Sequence, residues 1–197
     1  RSKGYDLFGR AVLKILKKYK DWSAYVIGDE PRDKIDFKHK RLKNFGFKEH
    51  KEVIKIYKET SIAVVCSRWD EPFGRTSLEA SANGCAVIIS NRGGLPETIT
   101  NGRILKNLNV NEIYKNIEDL IVNSSIRKKY QKLSYKNFYL SHEHVSDQID
   151  KIRNNLSKIE KPFLHTSQSN LRILHITNFN ERHNGRLFFN TGRRLNN

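Results

Sequence analysis

At 197 residues the chain has room for one domain with a real core and an appendage, whereas two complete domains would be cramped. A hydrophobic content of 37% with 10% aromatics excludes wholesale disorder, and no apolar run approaches the ~18 residues that span a bilayer. The net charge of +16 and pI near 9.9 suit anionic partners in general, but no basic stripe interleaved with aromatics is present, which argues against nucleic acid.

From the N-terminus, the pattern predicts an amphipathic helix over Tyr5–Tyr19, with Phe8, Val12, Ile15, Leu16 and Tyr19 on one face and lysines on the other. A short strand over Ser23–Ile27 is closed by Gly28-Asp29-Glu30-Pro31, and residues 31–40 read as loop. A strand at Leu42–Phe47 and a helix at Lys51–Glu59 follow. Ile62–Cys66 is a continuous apolar run, as expected of a strand buried on both faces. Thr76–Asn83 reads as helix, stopped by Gly84 where a left-handed residue is wanted. Ala86–Ser90 is a second buried strand, Arg92–Pro96 a glycine-rich turn, and Glu97 begins a short helical segment.

After a weak strand near Arg103–Leu105 the chain turns helical. Val110, Ile113, Ile117, Leu120 and Ile121 form one stripe, and Ile126, Tyr130 and Leu133 the next. Val145, Ile149, Ile152, Leu156 and Ile159 make a clean face on a last helix. Lys158–Asn170 is polar, contains Pro162 and reads as a linker; Leu171–Thr177 resumes a strand pattern. Cys66 and Cys85 belong to no metal-type spacing and read as buried free thiols, which suggests a reducing cytosolic compartment.

Strands alternating with helices argue an α/β fold: a Rossmann-like parallel sheet with helices on both faces. In such sheets ligands bind beyond the carboxyl ends of the strands, so the loops after Ile27, Phe47, Cys66 and Ser90 are where chemistry should lie. The informative loop is Ser67-Arg-Trp-Asp-Glu-Pro-Phe-Gly-Arg-Thr-Ser-Leu-Glu79, which runs from a buried strand straight into a helix. A helix N-terminus offers unpaired N–H donors and partial positive charge, which suits a diphosphate. Gly74 lets backbone approach a ligand, and the carboxylates Glu71 and Glu79 suit sugar hydroxyls through charge-assisted hydrogen bonds.

Glu71 and Glu79, within "EPFGRTSLEASANGCAVIISNRGGLPET", resemble the E-x7-E region of group 1 (family 4) glycosyltransferases of GT-B fold. "SKGYDLFGRAV" is similar to that family's lysine-glycine segment, "NFGF" before the helix at Lys51 to its "flGf" strand, and the helix at Val145–Lys158 to its closing helix, so the likeness covers about residues 3–157. The resemblance implies the donor-binding half of a retaining enzyme that moves a sugar from an NDP-sugar to a glycan or lipid-linked acceptor. Envelope polysaccharide or lipopolysaccharide synthesis, at a cytoplasmic site peripheral to the inner membrane face, is the matching setting.

Residue by residue, the resemblance puts Glu71 beside the reacting sugar, with the backbone of Phe73 and Gly74 on the same sugar. Glu79 takes the ribose hydroxyls, and Thr76, Ser77 and Lys3 the diphosphate. Gly93 and Gly94 match a glycine pair near the donor. Simple capping at Thr76 and Ser77, a plain turn at the two glycines and a surface lysine at Lys3 are the alternatives. Neither a cofactor nor a metal is expected, since no DxD-like cluster is present and the family needs none. His50 lies by the expected base loop and reads as surface, and His142 and His144 read as capping or surface residues ahead of the last helix. Glu97 reads as a helix cap.

The expected organisation is a nucleotide-sugar-binding domain over 1–157 with its first strand truncated, a linker over 158–170, and over 171–197 the start of a second glycosyltransferase unit. Asn184 and Gly185 would then face that unit's cleft, and Ile173–Thr177 would otherwise suit an open sheet slot. A phosphorylase-type reading lacks the surroundings of a pyridoxal phosphate lysine. A basic module that keeps the fold and binds anionic polymer or a membrane surface is the alternative from another class. Without the domain that carries the acceptor site, the chain by itself should not catalyse transfer.

Overall fold

The computed structural model describes residues 2–28 and 35–157. The chain divides into two compact units, Arg1–Ile152 and Arg153–Asn197, and of the second only the end of one helix lies within the described residues. The linker, Ile173–Thr177, Asn184 and Gly185 lie outside them.

The first unit alternates helix and strand as expected. Helix α1 (Tyr5–Lys18) is followed by strands β1 (Ala24–Val26) and β2 (Leu42–Asn44), helix α2 (His50–Lys58), strand β3 (Ile62–Val65) and helix α3 (Arg75–Ala82). Strand β4 (Ala86–Ser90), a 3-10 turn at Leu95–Thr98, strand β5 (Gly102–Leu105), helices α4 (Val110–Val122) and α5 (Ser124–Lys136), and helix α6 (His142–Ser157), which runs past the end of the unit, come next. Every strand pairing among the described residues is parallel: β1 with β2, Ala24 opposite Leu42, and β3–β4–β5, with Ile62 opposite Ala86 and Val87 opposite Gly102.

The core is layered on β4, whose five residues are all buried. Ala86 and Ile88 face Ala11, Val12, Ile15 and Leu16 of α1 and Ile113, Ile117 and Leu120 of α4. Val87 and Ile89 face the other side, onto Ala80, Cys85 and Leu95. This alternation is what a strand with helices on both faces requires, and each fully buried Leu or Ile contributes roughly 1.5–3 kcal/mol by leaving water.

β3 departs from expectation. Only Ala63 of its four residues is fully buried, and Ile62, Val64 and Val65 are partly accessible. The reason is the sheet: among the described residues β3 pairs with β4 alone, and β1 with β2 alone. Between β1 and β3 lies a cavity of about 490 Å³ lined by Val12, Ile15, Ala24, Ile62, Val64 and Ile117, among others. The apolar run forms a strand, as its composition predicts, but one of its edges faces this gap.

Other differences are local. β2 stops at Asn44 because Gly46 turns the chain at φ 61°, leaving Phe45 and Phe47 exposed. The helical turn after the glycine pair begins at Leu95, not Glu97, with Pro96 near its start, where a missing N–H costs nothing. His142 and His144 lie inside the first turn of α6, whose cap is Ser141: its hydroxyl accepts the His144 N–H at 3.2 Å. Gly84 does close α3, at φ 74°; its N–H and that of Cys85 donate to the carbonyls of Ser81 and Ala80, both at 3.0 Å.

Burial pushes both thiols, Cys66 and Cys85, up to about 12. The guanidinium of Arg41 seals the C-terminus of α1, donating to the carbonyls of Tyr19, Lys20 and Trp22 at 2.8, 2.6 and 2.5 Å. It also donates to the carbonyl of Leu16, in the last turn of α1, where a helix leaves carbonyls without a donor.

Candidate functional site

The loop from Ser67 to Gly74 joins β3 to α3 at the carboxyl end of the sheet, where a parallel α/β fold places its ligands. Its shape comes from three glycines. Gly94 donates its N–H to the Glu71 carbonyl at 2.7 Å. A Cβ on Gly93, at φ 52°, would come within 2.3 Å of that same carbonyl oxygen, and one on Gly94 within 2.8 Å of the Pro72 oxygen. Gly74, at φ 93°, is both left-handed and tight, since a Cβ there would lie 2.6 Å from Leu95. Gly93 and Gly94 thus form the floor on which the Glu71 segment rests.

Helix α3 starts at this loop. Its first helical bond runs from the Leu78 N–H to the Gly74 carbonyl, so the N–H groups of Arg75, Thr76 and Ser77 precede the hydrogen-bonded ladder. The Ser77 hydroxyl is buried, 2.8 Å from the Gly74 carbonyl and 2.6 Å from Thr98 Oγ1, so it braces the turn and only its N–H remains for a ligand. Thr76 is exposed, and its carbonyl accepts the Tyr57 hydroxyl at 3.3 Å, which ties α2 to the first turn of α3.

The two acids have different neighbours. Glu71, with only 15% of its side chain exposed, is ion-paired to Lys3, which lies just before α1. Residues 68 apart in sequence therefore meet at one point. Glu79 lies in the second turn of α3, where its Oε1 is 3.1 Å from Arg75 Nη2 and 3.2 Å from His50 Nε2. His50 is exposed, as expected, but it also touches the second acid of the motif. The indole of Trp69 and the ring of Phe73 are 61% and 46% exposed on either side of Glu71.

Sequence reasoning missed the contacts that hold Lys3. Arg68 grips Asp6 with two hydrogen bonds, Nη1 to Oδ1 at 2.6 Å and Nη2 to Oδ2 at 2.7 Å. The Arg68 guanidinium holds the Asp6 carboxyl below the usual carboxylate range. The Arg68 N–H donates to the Ser2 carbonyl at 2.8 Å, and the Cys66 thiol to that of Gly4 at 3.4 Å. No local pattern announces pairings across such separations.

Among the described residues no three His, Cys, Asp or Glu side chains gather as a metal site would need, and no helix is long and apolar enough to cross a membrane. A second groove, of about 830 Å³, lies between α1 and α4 beside Arg10, Lys14, Lys17 and Lys115 and is lined by none of the residues above.

Residues 1–137 match the model of the glycosyl transferases group 1 family. The chain belongs to that family. The lipopolysaccharide core biosynthesis mannosyltransferase LpcC of Rhizobium leguminosarum bv. viciae is 36% identical over 113 residues, 51% of this chain and 31% of that protein. The chain therefore spans less than a third of that relative's length. The C-terminal domain of the group 1 glycosyl transferase LpcC from Francisella tularensis is 34% identical over 68% of this chain and 77% of that one, with a TM-score of 0.61. Anabaena HepE, solved with UDP-glucose, matches 80% of this chain and 46% of its own at 20% identity and a TM-score of 0.60, a likeness of fold. The parallel sheets flanked by helices are those of a GT-B glycosyltransferase domain.

Proposed function

We propose that this chain is the donor-binding part of a retaining glycosyltransferase that takes a hexosyl group from a nucleoside diphosphate sugar. The observation that carries the reading is the ion pair of Lys3 with Glu71, in the loop that runs from the carboxyl end of β3 into the N–H groups that open α3. Cleaving the bond between the sugar and the diphosphate builds positive charge on the sugar and negative charge on the leaving phosphate. Glu71 suits the first, and Lys3 with the N-terminus of α3 the second, without calling on a metal or other cofactor. Glu79 would hold the ribose, with Phe73 and Gly74 against the sugar. UDP-glucose on HepE supports a nucleotide-sugar donor, and the Rhizobium mannosyltransferase supports an acceptor on lipopolysaccharide or a related glycan.

The same reading places the protein in the cytoplasm, with the net charge of +16 favouring a peripheral contact with an anionic membrane face. In the complete enzyme the linkage formed should keep the donor's anomeric configuration, read by NMR of the product. This chain alone should transfer no sugar. Inversion at the anomeric carbon, or transfer by the purified chain, would refute the respective claim.

A further inference from the structure

We propose that Asp6 and Arg68 are positioning residues for the diphosphate contact: their ion pair fixes the turn that carries Lys3 against the loop that carries Glu71. The inference rests on the donor-binding reading above.

Ser2 and Lys3 belong to no helix or strand, so something other than a ladder must place them. Asp6 lies three residues after Lys3, in the first turn of α1, and Arg68 lies three residues before Glu71. The Asp6–Arg68 pair therefore bridges the same two segments as Lys3–Glu71. It is the better anchored of the two. Its grip is two-pronged, and Asp6 keeps only 16% of its side chain exposed, against 67% for Lys3. A planar guanidinium on both carboxylate oxygens fixes orientation as well as distance, which a lysine ammonium does not.

The backbone adds two constraints at the same place. The Arg68 N–H reaches the Ser2 carbonyl, and Gly4, at φ 73°, lets the turn lie so close to Cys66 that a Cβ would be 1.9 Å from its carbonyl oxygen. A lysine on a preset turn loses less freedom when it meets a phosphate than one on a loose end. Asp6 and Arg68 need not touch the donor to strengthen its binding.

The test is a set of titrations of the 197-residue chain with UDP and with GDP, using whichever binds, on the wild type, Lys3→Ala, Asp6→Asn and the double variant. Lys3→Ala should weaken binding about tenfold or more, as expected for a lost charge-assisted hydrogen bond. Asp6→Asn should reproduce much of that loss, about fivefold, and should add nothing further in the Lys3→Ala background. Arg68→Lys, which keeps the charge but not the two-pronged grip, should fall between wild type and Asp6→Asn. Asp6→Asn with wild-type affinity, or with a loss that adds in full to that of Lys3→Ala, overturns the positioning role and leaves the donor-binding reading intact. A wild-type chain that binds neither nucleotide, or a Lys3→Ala variant that binds as well as wild type, overturns the donor-binding reading itself.

Discussion

Glu79→Ala in the complete enzyme is expected to weaken donor binding about ten- to a hundredfold with a smaller change in turnover, and Glu71→Ala to lower turnover by a similar factor with a smaller change in donor binding. Each removes a charged hydrogen-bond partner, worth roughly 1.5–3 kcal/mol. The difference in sign pattern comes from their positions. Glu79 is one turn into α3, beside His50 at the start of α2, where a ribose would lie. Glu71 is in the loop with Lys3, where the bond to the diphosphate would break. Steady-state kinetics with varied donor separates the two effects. Equal behaviour of both variants, or wild-type constants in either, would remove the assignment of distinct roles.

The second large effect belongs to a residue with no functional group at all. Gly93→Ala should lower turnover tenfold or more and reduce Tm by several degrees. Alanine at φ 52° carries a left-handed strain of about 1–2 kcal/mol. Its Cβ would also stand 2.3 Å from the Glu71 carbonyl oxygen and 2.7 Å from the Glu71 nitrogen, both backbone atoms that cannot swing aside. The loop holding Glu71 must then move, and a small misplacement of a catalytic group is costly. Gly84→Ala is the matched control: φ 74° imposes the same kind of strain, but its nearest contacts are an ordinary 3.6 Å and it closes the far end of α3. It should lower Tm and leave turnover unchanged. Parallel losses of turnover in both variants would mean that the glycine pair matters for stability alone.

Much of this architecture was legible in the residues. The period of Val12, Ile15 and Leu16 marked α1, the unbroken run at Ala86–Ser90 marked the central strand, and Gly84 marked the end of α3, because each is a local rule of burial or backbone conformation. The half-exposed faces of β3 were not legible, since burial of a strand depends on what pairs with its edges. The inward turn of the Ser77 hydroxyl depends on Thr98, which lies 21 residues along the chain. The Asp6–Arg68 grip and the His50–Glu79 contact are likewise products of tertiary placement. Glu71 and Glu79 stood out only as part of a long motif, because a single acidic residue in a loop or helix is usually a solvated one.

The central claim, that this domain binds a nucleoside diphosphate sugar through the loop and helix around Glu71 and Glu79, is tested most directly by calorimetric titration of the purified chain with UDP and GDP. Saturable binding of at least one of them, clearly weakened in Glu79→Ala, is the expected result. A folded chain that binds neither, or that binds one with unchanged affinity in that variant, would contradict it.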